Sequence, residues 1–149
     1  MKYVIFTLQD QSFAVNVDQV ISIERLQEIT MIPRTSAFIK GVTVIRGVTT
    51  PIIDLKERLW VDETAQTDDT RILVVHIQGM QIGFIIDAAT AVMDIDEAVI
   101  EPAPQIATGT GETFIKSVAN LEDGLLMILD LNTMVNPLEK QELEEVAAK

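Results

Sequence analysis

Side chains able to do covalent or metal chemistry are sparse in this chain of 149 residues, which has no cysteine and one histidine. The lack of Cys excludes a thiol nucleophile, a disulfide framework and any thiolate site for zinc or an iron–sulfur cluster. His76 lies in Ile72-Leu73-Val74-Val75-His76-Ile77 and by alternation faces away from Val75 and Ile77. Acid–base catalysis and metal binding both need partner groups. With no second His or Cys, His76 reads as a structural or surface residue.

Four acids recur in similar settings. Asp18, Asp54, Asp87 and Asp130 each end an apolar strand-like run and precede a stretch suited to a helical turn. A carboxylate there accepts backbone N–H groups, so capping or turn formation is expected at all four. No EF-hand loop or phosphate-binding P-loop is present. Gly109-Thr110-Gly111 lacks a suitably placed Lys and a following helix. Ser12, Ser22, Ser36 and Ser117 lie in no nucleophile-elbow context. The residues therefore predict no enzyme, no cofactor and no metal.

Arg46 is different. It ends the apolar run Val42-Thr43-Val44-Ile45 just before Gly47. An Arg so placed either pairs with a nearby carboxylate or offers its planar fork to a partner. Both readings stand on residues alone.

The elements around these residues read as strands. The chain holds 19 Ile and 15 Val, in runs of five to eight cut by Gly, Pro, Asp or Gln-Asp. Branched side chains suit pleated, half-buried surfaces, so an all-β small barrel or sandwich is expected. Four hairpins are predicted. They are Val4–Leu8 with Phe13–Val17, Val42–Arg46 with Thr49–Asp54, Ile72–Ile77 with Ile82–Ile86, and Phe114–Ala119 with Leu125–Asp130.

The third hairpin resembles the first at an offset of 69 residues, and the fourth resembles the second at 76. Two copies of a small β unit follow, with halves at 2–60 and 71–135 of one domain spanning 1–149. The repeat in sequence need not be the lobe in space, because strands can cross between barrels. The polar stretch 61–70 reads as the linker between copies. Asn136 as N-cap, Pro137 and Glu139 predict a C-terminal helix over 136–149. Its thin stripe of Leu138, Leu143 and Val146 predicts partial exposure or fraying.

Composition narrows the function classes. Hydrophobic residues make up 48% of the chain, so it is no acidic disordered tail. A net charge of −12 argues against nucleic acid and against an anionic membrane surface. No apolar run approaches the roughly 20 residues of a membrane span, and no signal-peptide core is visible. A soluble cytoplasmic protein is expected. Small barrels cannot hide all of this Ile and Val, and exposed apolar patches mark partners.

The segment Gly41-Val42-Thr43-Val44-Ile45-Arg46-Gly47-Val48-Thr49-Thr50-Pro51-Ile52-Ile53-Asp54-Leu55-Lys56 resembles the signature of CheW-type chemotaxis coupling proteins. Phe13 to Glu24, Ile32-Pro33, Ile82 to Asp87 and Leu125 to Leu131 match further family motifs in the same order. Val44 and Ile45 depart from the family's Asn-Leu, Ser22 from a frequent Glu, and Lys56 from an Arg. The resemblance implies two SH3-like five-stranded β-barrel lobes around a shared hydrophobic centre, without catalysis. It implies a scaffold joining the regulatory domain of the histidine kinase CheA to the cytoplasmic tip of chemoreceptors (methyl-accepting chemotaxis proteins). Such a protein works in the cytoplasm at membrane-associated receptor arrays. A CheW-like adaptor of another chemosensory pathway is the alternative. By motif position, Val20 and Arg46 carry over as partner-binding residues, with Val17 as a weaker companion.

Overall fold

The structure, a computed structural model, describes residues 1–32, 39–59, 67–102, 115–122, 124–135 and 137–147. The readings at Ser36, Gly109–Gly111 and Asn136, and most of the linker, lie outside them. Eleven strands and two α-helices are described. Strands β1 (Lys2–Leu8) and β2 (Gln11–Asn16) form the first hairpin, then β3 (Val20–Arg25) follows a short 3-10 turn. The hairpin β4 (Ile39–Ile45) and β5 (Val48–Asp54) leads into α1 (Leu55–Leu59). Next come β6 (Arg71–Ile77), β7 (Met80–Ile86), β8 (Ala88–Asp94) and the short β9 (Ile100–Pro102). A last hairpin, β10 (Ile115–Leu121) with β11 (Gly124–Leu129), precedes α2 (Pro137–Ala147).

All four predicted hairpins form. Three of their turns carry φ > 0 at both central residues, Gln9-Asp10 at 49° and 65°, Arg46-Gly47 at 53° and 78° and Gln78-Gly79 at 51° and 82°. That backbone matches the twist of the flanking strands, and in the latter two Gly supplies its second position without steric cost. Gln9-Asp10 adopts it with no glycine.

The strands build two sheets, ordered β3-β6-β7-β5-β4 and β8-β1-β2-β11-β10-β9. The first has the expected five strands; the second gains a sixth from the three-residue β9. Neither sheet is one half of the sequence repeat. The hairpin β1–β2 sits in the second sheet and β6–β7 in the first, joined by the parallel pairs β2 with β11 and β5 with β7. Replacing each strand by its repeat counterpart turns the first order into β8-β1-β2-β11-β10, the leading five strands of the second. The two halves have exchanged hairpins. A backbone bridge between Thr30 and Val42 closes the first sheet upon itself. Gly41 is required there, since a Cβ at its φ of 143° would run into the Thr30 carbonyl.

The core follows from the exchange. One cluster takes Phe6 and Phe13 from the second sheet, Ile53, Leu73 and Phe84 from the first, and Leu143 from α2. Phe6 and Phe13 are cross-strand partners, stacked with ring centroids 5.9 Å apart. Each lobe adds a private cluster, around Ile5, Ala14 and Leu126 in one and Ile52, Ile72 and Val74 in the other. The C-terminal helix is partly exposed as expected, with Gln141, Glu144 and Glu145 open to solvent, while fraying is corrected. Leu143 and Val146 are fully buried, and α2 lies against β4 and β5. Its stripe is thin because it covers one end of a core that the strands already fill.

Candidate partner-binding surface

Strand β3 is an edge strand of the first lobe, bonded only to β6. Its residues alternate in burial, so Val20, Ser22 and Glu24 turn inward while Ile21 and Ile23 stand exposed. Arg46 is brought to this strand from the apex of the β4–β5 turn. Its Nε lies 3.9 Å from Glu24 Oε2, with the Arg side chain 62% exposed. So open a pair adds at most about 1 kcal/mol. The ion-pair reading of Arg46 is met, while its side chain stays largely open to solvent.

Val17 and Val20 are half-buried, both packed against the central core cluster. Val17 lies in the 3-10 turn where the chain crosses from the second sheet to the first, and Val20 opens β3. The most open apolar side chains nearby are residues the motif did not mark. They are Ile21 and Ile23 on β3, and Val44 and Val48 beside the Arg46 turn, with Val44 61% exposed. The alternation of Val20-Ile21-Ser22-Ile23 was the available signal. Ser22 Oγ is buried without a hydrogen-bond partner among the described residues. The second lobe exposes Val92 and Met93 on its edge strand β8, and Leu125 on β11.

The repeated acids divide. Asp54 Oδ1 accepts the Lys56 amide at 3.0 Å and Asp130 Oδ1 accepts the Asn132 amide at 3.1 Å, so both cap as expected. Asp18 takes part in a turn without capping it, and the expectation fails at Asp87. Asn16 caps the 3-10 turn by accepting the Asp18 amide at 2.9 Å, which leaves Asp18 exposed within the turn. Asp87 meets no helical turn; its carboxylate accepts the Gln9 amide at 2.8 Å and the Lys56 ammonium at 2.7 Å. Strand β8 begins directly after it, so there is no turn to cap.

His76 is exposed on β6 while Val75 and Ile77 are buried, as alternation required. No group of three or more His, Asp or Glu positioned for a metal occurs among the described residues. A cavity of about 440 Å³ opens in the second lobe, lined by Tyr3, Asn16, Gln19, Glu97 and Lys116 among others. Its charges are of both signs, which marks it for no single ligand class. Among the described residues no helix is long and apolar enough to cross a membrane.

Two barrel-like lobes with exchanged hairpins, sharing one core, resemble known proteins. The CheW-like domain model matches residues 2–139. This chain belongs to the CheW-like family. It is 35% identical over 140 residues to the chemotaxis protein CheW of Bacillus subtilis, covering 94% of this chain and 90% of that one. To the chemotaxis protein CheW of Klebsiella aerogenes it is 27% identical over 146 residues, covering 98% and 88%. The crystal structure of the scaffolding protein TtCheW from Thermoanaerobacter tengcongensis superposes with a TM-score of 0.83. That match is 33% identical and covers 91% of this chain and 87% of that one. The stretch matched by the CheW-like domain model includes the Arg46 turn and β3.

Proposed function

We propose that this CheW-family chain is a non-catalytic chemotaxis scaffold that couples the cytoplasmic tips of chemoreceptors to the regulatory domain of the kinase CheA. The observation that carries this reading is the first-lobe surface. Exposed Ile21, Ile23, Val44 and Val48 lie on the strands that the Arg46–Glu24 pair joins. Strands present these side chains to solvent, and exposed apolar residues together with an Arg are the composition of a protein-binding hot spot.

A receptor tip is a helical hairpin, so its docking is helix in groove. Val17, Val20 and Arg46 are assigned to that contact, Arg46 supplying charge and geometry. The apolar residues of the first lobe are assigned to the kinase domain. Coupling further requires that receptor state alters the relative strength of the two contacts, since tethering alone transmits no signal. The work is done in the cytoplasm, at receptor arrays on the membrane.

A pull-down with a CheA regulatory domain and a receptor tip fragment, separately and together, tests the reading. Capture of both, with a ternary complex, is expected. Failure to hold either one at low salt overturns it.

A further inference from the structure

Lys56 is a lysine with only 3% of its side chain exposed. It lies on α1, directly after β5 of the first lobe. Its ammonium meets Asp87 Oδ1 at 2.7 Å. The other oxygen, Oδ2, accepts the Gln9 amide at 2.8 Å, and the Asp87 amide donates to the Thr7 carbonyl at 3.1 Å. Gln9 and Thr7 belong to the β1–β2 hairpin, which has crossed into the second lobe, and Asp87 immediately precedes β8. One carboxylate thus ties the first lobe's helix to two elements of the second.

We propose that Lys56 is a positioning residue that acts through Asp87 to set the angle between the lobes, and so the affinity for a partner touching both. The shared core keeps the lobes together but is non-directional, and apolar surfaces can slide or rotate on one another. An ion pair with fixed hydrogen bonds is directional. Pairs of this kind add little net stability but specify geometry in some proteins.

The internal repeat supplies a control. The counterpart of Asp87 is Asp18, 69 residues earlier, and that of Lys56 is Asn132, 76 residues later. Asp18 is exposed and Asn132 is exposed, so the equivalent crossing from β2 to β3 is made without a buried ion pair. Folding a crossing of this kind does not require the pair. Among the described residues it occurs at the crossing that leads to β8, the edge strand carrying exposed Val92 and Met93.

The identity of the partner rests on the coupling reading above; the effect on lobe angle does not. The test compares the wild-type chain with Lys56→Met and Lys56→Arg. Residual dipolar couplings, fitted to each lobe separately, give the angle between them. Lys56→Met is expected to change that angle and to speed amide exchange at Gln9, with exchange in β6 and β7 unchanged. Lys56→Arg is expected to restore both. Binding of the receptor tip fragment, assigned to the Val17 crossing between the lobes together with Val20 and Arg46, should weaken about tenfold in Lys56→Met. Binding of the kinase regulatory domain, assigned to the first lobe, should stay within about twofold. An unchanged angle overturns the proposal, as does faster exchange throughout β6 and β7, which marks a purely structural role. If the wild-type chain binds neither fragment the coupling reading falls, and the angle still decides the role of Lys56.

Discussion

Arg46 Nε stands 3.9 Å from Glu24 Oε2 and so connects the β4–β5 turn to edge strand β3. Arg46 reaches this position with φ at 53°, in the left-handed region that costs a non-glycine residue about 1 kcal/mol. Gln9, Asp10 and Gln78 hold the same backbone in the other hairpin turns, so this conformation belongs to the turn.

Arg46→Glu places a carboxylate beside Glu24 and removes the open guanidinium. The pair is too exposed to hold the fold, so a loss of about 1 kcal/mol or less is expected in urea unfolding. Capture of receptor tip and kinase regulatory domain should both fall. Kinase activation at the wild-type level in a reconstituted assay would end the assigned role of Arg46.

Val20→Asp puts a charge where the first residue of β3 packs half-buried on the central core. Receptor binding is expected to drop more than kinase binding. Because the core contact also costs stability, Ile21→Asp provides the comparison on the exposed face of the same strand. A receptor pull-down that does not respond to Val20→Asp refutes the assignment.

Leu143→Ala tests the helix that was expected to fray. Its side chain is fully buried in the central cluster, so truncation should cost roughly 2–5 kcal/mol. A urea midpoint within error of wild type would show that α2 does not belong to the core.

Asp87→Asn separates the two ends of the ion pair. It leaves the buried Lys56 ammonium without its counter-charge, whereas Lys56→Met leaves a carboxylate that is 29% exposed and still bonded to Gln9. Asp87→Asn is therefore expected to destabilise by about 3 kcal/mol, and Lys56→Met by less. Equal midpoints for the two variants in urea would contradict this order.

The local elements were legible because their causes are local. Branched runs cut at Gln9-Asp10, Gly47 and Gln78-Gly79 yield hairpins, since alternation and turn chemistry act over a few residues. Asp54 and Asp130 cap as read, for the same reason. Asp18 and Asp87 look identical in sequence but differ in role, because the group that decides each lies elsewhere. For Asp87 that group is Lys56, brought near only when α1 and the β7–β8 junction meet. The Arg46 turn was legible through its motif, while Ile21, Ile23, Val44 and Val48 needed the burial pattern to be noticed.

The sequence by itself determined a mostly β chain, its hairpins in order and a C-terminal helix. These follow from residue type, spacing and charge. Tertiary structure alone decided which sheet each hairpin joins, which valines are covered, and that Leu143 closes the core. Alternation states that a strand has an apolar face but not which apolar face will cover it. That choice depends on contacts between residues far apart in the chain.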